Sequence, residues 1–431
     1  MENKPKSLVH LYTGYSLQTI RESTNKIHHR IYSACLQEDT HDESPIQSTI
    51  DYAVLNYDKE VVCFDESINI TQLRSVILSH PENELLSFSP PRSIPKSQFY
   101  QSYPDVQSDD LQITEIVEGS LLHLFYDKRI QSWQIATKSA VGGQYTFFDK
   151  STKAKHKTTT VFEMFLDALG VSRNTTPLSL THFLDSFPKY YSYSFVLQHP
   201  ENKIVLPIGR PVLYLVAVYD IMPVSMSLIS IPQRIFQEFL GFIDVPTIQF
   251  PKLYTPEELD HYTYTDLENQ YGSIQNRSTT LGLMMTHLPS GQRCSIRNPV
   301  YTEIYKIRYL DTELQYQYLC LRHIGRVSDF LFYFPEHKGD FYRFYEQTRN
   351  FLENIHASYM SFYVLKEGIP ITLKYWPYIR RLHREVYIPG LAENPKNKIT
   401  RTAVHEYMNK MSPDDWLYAL NYEHRHLDEV Y

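Results

Sequence analysis

The chain has 431 residues, of which 42% are hydrophobic and 21% charged, and its formal net charge is −7. Two or three domains with sizeable cores fit that length, and the composition argues against disorder as the dominant state. The acidic balance excludes a polycation that coats nucleic acid over its whole surface, while a local basic face stays compatible with it. Tyrosine outnumbers phenylalanine, 35 to 22, which suits half-buried surfaces and interfaces that want an apolar body with a polar tip. Cys35, Cys63, Cys294 and Cys320 are too far apart to read as a zinc module or a disulfide framework, so reduced thiols in a cytoplasmic protein are expected. The opening MENKPKSLVH has no apolar stretch, and no run approaches the ~18 apolar residues of a membrane span. No membrane association is therefore expected.

Residues 1–65 contain helical stretches and an acidic loop at 38–45, without a clear assignment. His28, His29, Cys35 and His41 lack the tight repeat of a metal site and read as solvated side chains. From Leu73 the pattern predicts a strand over Arg74–Ser79, a Pro-Glu-Asn turn and a second strand over Glu84–Ser89. Pro90, Pro91 and Pro95 then forbid a central strand, so an extended segment along an edge or cleft is expected there. Thr114 to Gly143 reads as a hairpin. A Glu-Gly-Ser turn feeds the apolar run Leu121–Tyr126, a polar turn spans Asp127–Arg129, and a second run centres on Trp133 and Ile135.

A lysine-rich turn at 150–157 precedes an amphipathic helix, VFEMFLDALG, stopped by Gly170, with Glu163 read as a solvated carboxylate. A second short helix is expected from Ser179. Residues 191–220 predict two strands around a Pro-Glu-Asn turn and a continuously apolar third, Leu213–Val218. Residues 225–280 mix strand fragments with a helix near Pro256–Asn269. Next come a strand, a Pro-Ser-Gly turn, and a strand with Arg293, Ser295 and Arg297 alternating on one face, then a helix entry at Tyr301. From about residue 311 the signal is helical to the end, including a Ser412 N-cap followed by Pro413 at the first helical position. Between Leu373 and Met411 eight basic residues face three acidic ones, a net of +5; this is a solvated face or an RNA-facing patch. The organisation is thus α+β: antiparallel sheets with flanking helices over 1–310, and an all-helical C-terminal domain over 311–431.

Several segments, in one order, resemble motifs of the RNA ligase branch of the covalent nucleotidyltransferases, as in bacteriophage RNA-repair ligases and their relatives in large DNA viruses. The resemblance covers roughly residues 70–310. It implies a ligase-type nucleotidyltransferase domain with two antiparallel sheets flanking an ATP cleft, and an added helical C-terminal domain. Such ligases carry a Lys-x-Asp-Gly-Ser motif whose amine takes AMP from ATP; here it reads Ile116-Val117-Glu118-Gly119-Ser120. A Phe-Glu-Phe strand followed by Pro-x-Asn-Arg-Ile-Val becomes Phe195-Val196-Leu197 followed by Pro200-Glu201-Asn202-Lys203-Ile204-Val205. A Glu-Gly before an apolar strand becomes Leu281-Gly282. The two missing carboxylates would help to hold the ribose and Mg²⁺, which wants hard oxygen ligands. A Lys-x-Lys before Asn-Pro-x-Tyr becomes Ser295-Ile296-Arg297 before Asn298-Pro299-Val300-Tyr301. Arg74 resembles the ligase arginine at the ATP rim, and Lys96, or else Arg92, the lysine of the following segment.

Four losses at matched positions, Ile116, Val196, Leu281 and Ser295, imply a pseudoenzyme without a cofactor or a metal, because an apolar wall disfavours a triphosphate and Mg²⁺. The expected function is an RNA-binding or RNA-processing accessory factor. Arg74, Lys96, Arg297, Arg380, Arg381 and Arg384 are then the phosphate- or RNA-facing residues. The resemblance also implies a viral source, with the host cytoplasm, a viral factory or the virion as location. Two other readings fit the residues. One is a protein–protein assembly scaffold that has lost the nucleic-acid grip. The other is an ATP-dependent RNA ligase in which Lys128 or Lys138 replaces the missing lysine. A remodelled cleft holding a stacked nucleobase or a capped RNA end is a further variant of the first.

Overall fold

Tyr191–Gln198 alternates aromatic or apolar residues with serines, and in the computed structural model this stretch is a strand whose two faces meet different surroundings. Tyr191, Tyr193, Phe195 and Leu197 enter the main core, while Ser192 and Ser194, on the opposite face, are buried against another sheet. The structure describes residues 15–16, 29–36, 48–55, 74–144, 159–175, 180, 183–222, 227–240, 247–275, 281–308 and 312–423. Of these, residues up to Glu303 form one compact unit and residues from Ile304 another. His28 and His41, the acidic loop at 38–45, the 150–157 turn and the start of the helix expected from Ser179 lie outside the described residues.

The first unit is built on three sheets. In chain order its strands are β1 (Tyr15–Ser16), β2 (His29–Leu36), β3 (Ser48–Leu55), β4 (Val76–His80), β5 (Leu85–Phe88), β6 (Leu111–Glu115), β7 (Ser120–Asp127), β8 (Ser132–Thr137), β9 (Tyr191–Gln198), β10 (Val212–Met222), β11 (Ser227–Ile231), β12 (Ile248–Gln249), β13 (Leu253–Tyr254), β14 (Gly282–His287) and β15 (Arg293–Arg297). The large sheet runs β1-β11-β10-β9-β7-β8, with β12 parallel to β10; a second runs β13-β6-β14-β15 and a third β2-β3-β4-β5. Apart from the β12 pairing, the ladders are antiparallel. This is the α+β, antiparallel architecture expected.

Helix α1 spans Lys96–Ser102, α2 Val161–Leu169, α3 Gln233–Leu240, α4 Tyr264–Tyr271 and α5 Pro299–Arg308. Helix α2 covers the large sheet, its Phe165, Leu166 and Leu169 packing with Trp133, Phe195 and Leu215 in the main core. Thr160 and Glu163 form a reciprocal capping box at its start, Thr160 N donating to the Glu163 carboxylate at 2.7 Å. Glu163 is therefore a cap rather than the simply solvated carboxylate expected, because it answers one of the unpaired amides of the first turn. Gly170 ends the helix in the left-handed region at φ 74°, where only glycine avoids a Cβ penalty.

The third sheet meets the large one through β5, and here the serines of β9 explain themselves. An edge strand carries unpaired backbone groups that need partners when buried. Phe88 N donates to Ser192 Oγ at 3.3 Å, and Ser194 Oγ donates to Phe88 O at 3.4 Å. The second sheet is backed on one face by α1 and α4, around Phe99, Leu267, Leu283, Met285, Cys294 and Ile296. Its other strand face carries Met284 and Ser295, which are paired, together with Arg293 and Arg297.

The β7–β8 hairpin is pinned at its turn by the fully buried Asp127, which accepts from Arg129 Nη2 at 2.8 Å and from Tyr52 OH at 2.9 Å. Burial, and then the Asp127 charge, holds the Tyr52 hydroxyl well above the ordinary tyrosine range. Arg129→Met would leave that carboxylate without its cation. A loss of about 3 kcal/mol in chemical unfolding is expected, as for a broken buried pair; a loss below about 1 kcal/mol would show that the turn does not depend on this pair.

The second unit is helical: α6 (Leu314–His323), α7 (Val327–Tyr333), α8 (Lys338–Tyr359), α9 (Trp376–Leu382), α10 (Ile388–Glu393), α11 (Arg401–Met408) and α12 (Pro413–Leu420). The long α8 buries Phe344, Phe351, Leu352, Ile355 and Tyr359 at helical spacing. Ser412 caps α12 by accepting from Asp415 N, with Pro413 next, as the sequence predicts. No helix among the described residues is long and apolar enough to cross a membrane.

Candidate functional site

The segments that fit the ligase-like frame hold one another by hydrogen bonds. Glu118 is 4% exposed and sits between β6 and β7. Its Oε1 accepts from Val205 N and from Leu206 N, both at 3.0 Å, and its Oε2 accepts from Tyr301 OH at 2.5 Å. Gln198 Nε2 donates to Glu118 O at 2.9 Å, and Asn202 Nδ2 donates to Ser120 Oγ at 2.8 Å. Asn298 caps α5, its Oδ1 accepting from Val300 N at 2.8 Å, while its own N–H donates to Leu281 O at 3.0 Å. Glu118-Gly119-Ser120, Pro200–Val205 and Asn298–Tyr301 are thus three parts of one lock.

This lock also explains a strand that fails to form. The pattern predicts a second strand after the Pro-Glu-Asn turn; instead Pro200–Asn202 is a 3₁₀ turn and the following residues run irregularly to β10. The amides of Val205 and Leu206 are taken by Glu118, and an amide held by a carboxylate cannot serve a ladder.

The departures from the frame lie around the same lock. Ile116 follows β6, whose sheet is the second one, and precedes β7, which belongs to the large one. It therefore lies on the crossing between two sheets rather than inside the hairpin. Its N–H donates to Gly282 O at 3.0 Å, which places it beside Leu281 and across from the Gly282–Arg297 pair. Val196 is on the face of β9 opposite the main core, flanked by Leu121 on β7 and Tyr214 on β10. A Cβ built on Gly119 would lie 2.7 Å from Val196 Cγ1, so the Glu-Gly-Ser turn passes directly over this valine. Ser295 lies between Arg293 and Arg297 on the exposed face of β15. Ile116 and Leu281 are thus brought together, and Val196 borders the turn on the neighbouring sheet.

Ile116, Val196 and Leu281 present hydrocarbon side chains. They supply no amine and no oxygen for a hard cation. The Glu118 carboxylate is committed to three donors of its own chain. Among the described residues no group of three or more His, Cys, Asp or Glu side chains is arranged to hold a metal ion.

The cationic candidates divide into two sets. Arg74 lies just before β4, and burial, followed by the guanidiniums of Arg293, Arg297 and Arg92, pulls its pKa down to about 10. Arg74 and Arg297 thus share one charged neighbourhood, which also contains Arg92 and Arg293. Sequence reasoning sees Arg293 only as part of an alternating strand. Lys96 opens α1 and pairs with Glu268 of α4 at 2.6 Å, where Tyr100 OH also donates at 2.9 Å. In the second unit Arg380 and Arg381 are exposed in the last turn of α9. Arg384, in the π-helical turn His383–Tyr387, pairs with Glu385 at 3.0 Å. Beside it, Tyr363 and His383 stack at 3.8 Å with an interplanar angle of 5°.

The displaced-lysine candidates do not occupy the Ile116 position. Lys128 is in the β7–β8 turn next to Asp127, and Lys138 follows β8, whereas Ile116 pairs across to Gly282 in the other sheet.

No protein-family model and no curated protein matches the chain. Several solved structures do. A Naegleria gruberi RNA ligase with PPi matches at 13% identity and a TM-score of 0.34, covering 65% of this chain and 99% of that one. An archaeal ATP-dependent RNA ligase matches at 11% identity and a TM-score of 0.37, covering 76% of this chain and 71% of that one. A Naegleria gruberi RNA ligase mutant with ATP and Mn matches at 13% identity and a TM-score of 0.32 over 46% of this chain. Of that last protein the match spans about half the length, 51%.

Proposed function

We propose that this protein is a catalytically inactive RNA ligase-like protein that acts as an RNA-binding or RNA-processing accessory factor. One observation carries the reading: the frame residues Glu118, Asn202, Asn298 and Tyr301 are locked together, while Ile116, Val196 and Leu281, around that lock, carry no nucleophile and no metal-binding oxygen. A shape is kept and its chemistry is not. The phosphoryl-facing charge that stays is guanidinium, at Arg74 and Arg297, and in the helical unit at Arg380, Arg381 and Arg384. Guanidinium suits phosphate by its fixed fork of donors. A host cytoplasmic or viral-factory location belongs to the same reading.

Two measurements test it. Incubation with α-labelled ATP and Mg²⁺ is expected to give no labelled protein band, since none of Ile116, Val196 or Leu281 can take AMP or ligate the metal; a band would restore the ligase reading with a displaced lysine. RNA binding is expected at low salt and should weaken steeply as salt rises, through release of condensed counterions. A stoichiometric protein partner that survives nuclease, with no RNA binding at any salt, would favour the assembly-scaffold reading instead.

A further inference from the structure

We propose that Arg74, Arg92, Arg293 and Arg297 together form a binding site for a phosphoryl group, carried by an RNA end or by a free polyphosphate, that works without a divalent cation. For an RNA end the inference rests on the proposed accessory-factor function; for phosphate itself it rests on how the backbone gathers four guanidiniums.

The gathering is explicit. Ser89 N donates to Ser75 O at 3.1 Å, so the segment leaving β5 starts beside Arg74. That segment then runs along β15: Ser93 bridges Arg293, Ile94 N donates to Arg293 O at 2.7 Å, and Arg293 Nη1 donates to Pro91 O at 3.4 Å. Arg92 is therefore held next to Arg293 by backbone on both sides. Arg297 is on the same strand face as Arg293, four residues on, with Ser295 between them. Four cationic side chains come from three separate segments to the β15 edge of the second sheet.

Like charges repel, and the repulsion grows where water is scarce. Here it is large enough to depress an arginine, whose pKa is pulled down by burial and by the other three guanidiniums. The same neighbourhood reaches inward. His123 is fully buried on β7, and burial and then Arg74 lower its pKa to about 3. Its Nδ1 lies 3.3 Å from Ser87 Oγ, while its Nε2 has no hydrogen-bond partner. Ser75 Oγ and Ser89 Oγ, one on each side of the Ser89–Ser75 backbone bond, are likewise buried without a partner. Ser75 follows Arg74 directly and Ser89 is bonded to Ser75, so two buried hydroxyls adjoin Arg74 without adding negative charge. A multiply charged oxyanion offsets the repulsion and takes several forked donors at once, which a single carboxylate cannot do. Guanidiniums also keep their charge across the working pH range, so the site needs no metal to neutralise the anion.

The test uses the full chain in EDTA. Inorganic tripolyphosphate is expected to raise the melting temperature by about 5 °C or more at high saturation, through preferential binding to the folded state. Arg92→Gln and Arg297→Gln, both at exposed positions, should each weaken binding about tenfold, the value of one charge-assisted contact, while the ligand-free protein stays folded. Fluorescence anisotropy with 5′-triphosphorylated and 5′-hydroxyl RNA of one sequence then separates the sources. A preference for the phosphorylated RNA, competed by tripolyphosphate, identifies an RNA end. Tripolyphosphate binding with no such preference identifies a free polyphosphate. Tripolyphosphate that has no effect in EDTA, acts only with Mg²⁺, or binds both variants as tightly as the parent overturns the inference. RNA binding without any phosphate response would sink this site and leave the accessory-factor reading intact; a labelled AMP adduct would do the reverse.

Discussion

Glu118→Ala is expected to destabilise the N-terminal unit by about 3–5 kcal/mol, enough to lower its guanidinium unfolding midpoint sharply. The carboxylate is buried and answers three donors, Val205 N, Leu206 N and Tyr301 OH. Alanine would strand all three, and each stranded buried donor costs its full desolvation. Two graded controls separate this from simple cavity loss. Glu118→Gln keeps an oxygen for the two amides and a rotatable partner for the tyrosine hydroxyl, so about 1–2 kcal/mol is expected. Tyr301→Phe removes one hydrogen bond and leaves the other two, with a loss of similar size. If alanine cost no more than glutamine, Glu118 would not be a lock between these segments. Although Glu118 stands where the ligase motif has its acid, its role is to join the turn, the 200–206 segment and α5.

That role marks how much of the molecule can be read from its residues. The β7–β8 hairpin, the apolar β10, the Arg293–Arg297 strand and the Asn298 helix entry are legible, because each has a local signal of alternation, turn chemistry or capping. Helix α1 is not. Pro95 occupies its N-cap position with no side-chain cap bond, so the usual Ser, Thr or Asp signal is missing and the prolines before it suggest extended chain. The absent strand after the Pro-Glu-Asn turn has a different cause: its local pattern is strand-like, and a carboxylate more than eighty positions earlier in the chain takes the amides of Val205 and Leu206. Such a competitor cannot be seen in a local window.

The candidate site divides in the same way. Motif order sets Ile116, Val196, Leu281 and Ser295 side by side on paper, but only the sheet topology shows that Ile116 lies on the crossing between two sheets and adjoins Leu281-Gly282. Arg293 is one of an alternating strand in sequence, and Arg92 only an alternative to Lys96. Their convergence on Arg74 depends on a bridge between residues about 200 positions apart, and no spacing rule reaches that far. Lys96, by contrast, is a candidate by position alone, and its 2.6 Å pair with Glu268 ties it to α4.

Gly282→Ala is expected to be the most damaging small substitution at the site, with a loss of about 3 kcal/mol or more and a matching loss of phosphate and RNA affinity. Gly282 has φ 120°, a backbone conformation that L side chains rarely adopt. A Cβ there would drive into the Ile296 carbonyl oxygen and come within 3.0 Å of Arg297 Cα. Both obstacles are backbone, so neither can swing aside as a flexible side chain would. Relief requires β14 and β15 to separate at the Gly282–Arg297 pair, and that movement also pulls on Gly282 O, the acceptor that fixes Ile116 N at 3.0 Å. Arg297 would leave the line it shares with Arg293, so the charged cluster should loosen along with the strand. Gly209→Ala is the control, since a Cβ there meets nothing within 4 Å and should leave stability within about 0.5 kcal/mol. A glycine follows Leu281 because two strand backbones pass too closely for a side chain, not because catalysis demands it; equal unfolding midpoints for the two variants would contradict that.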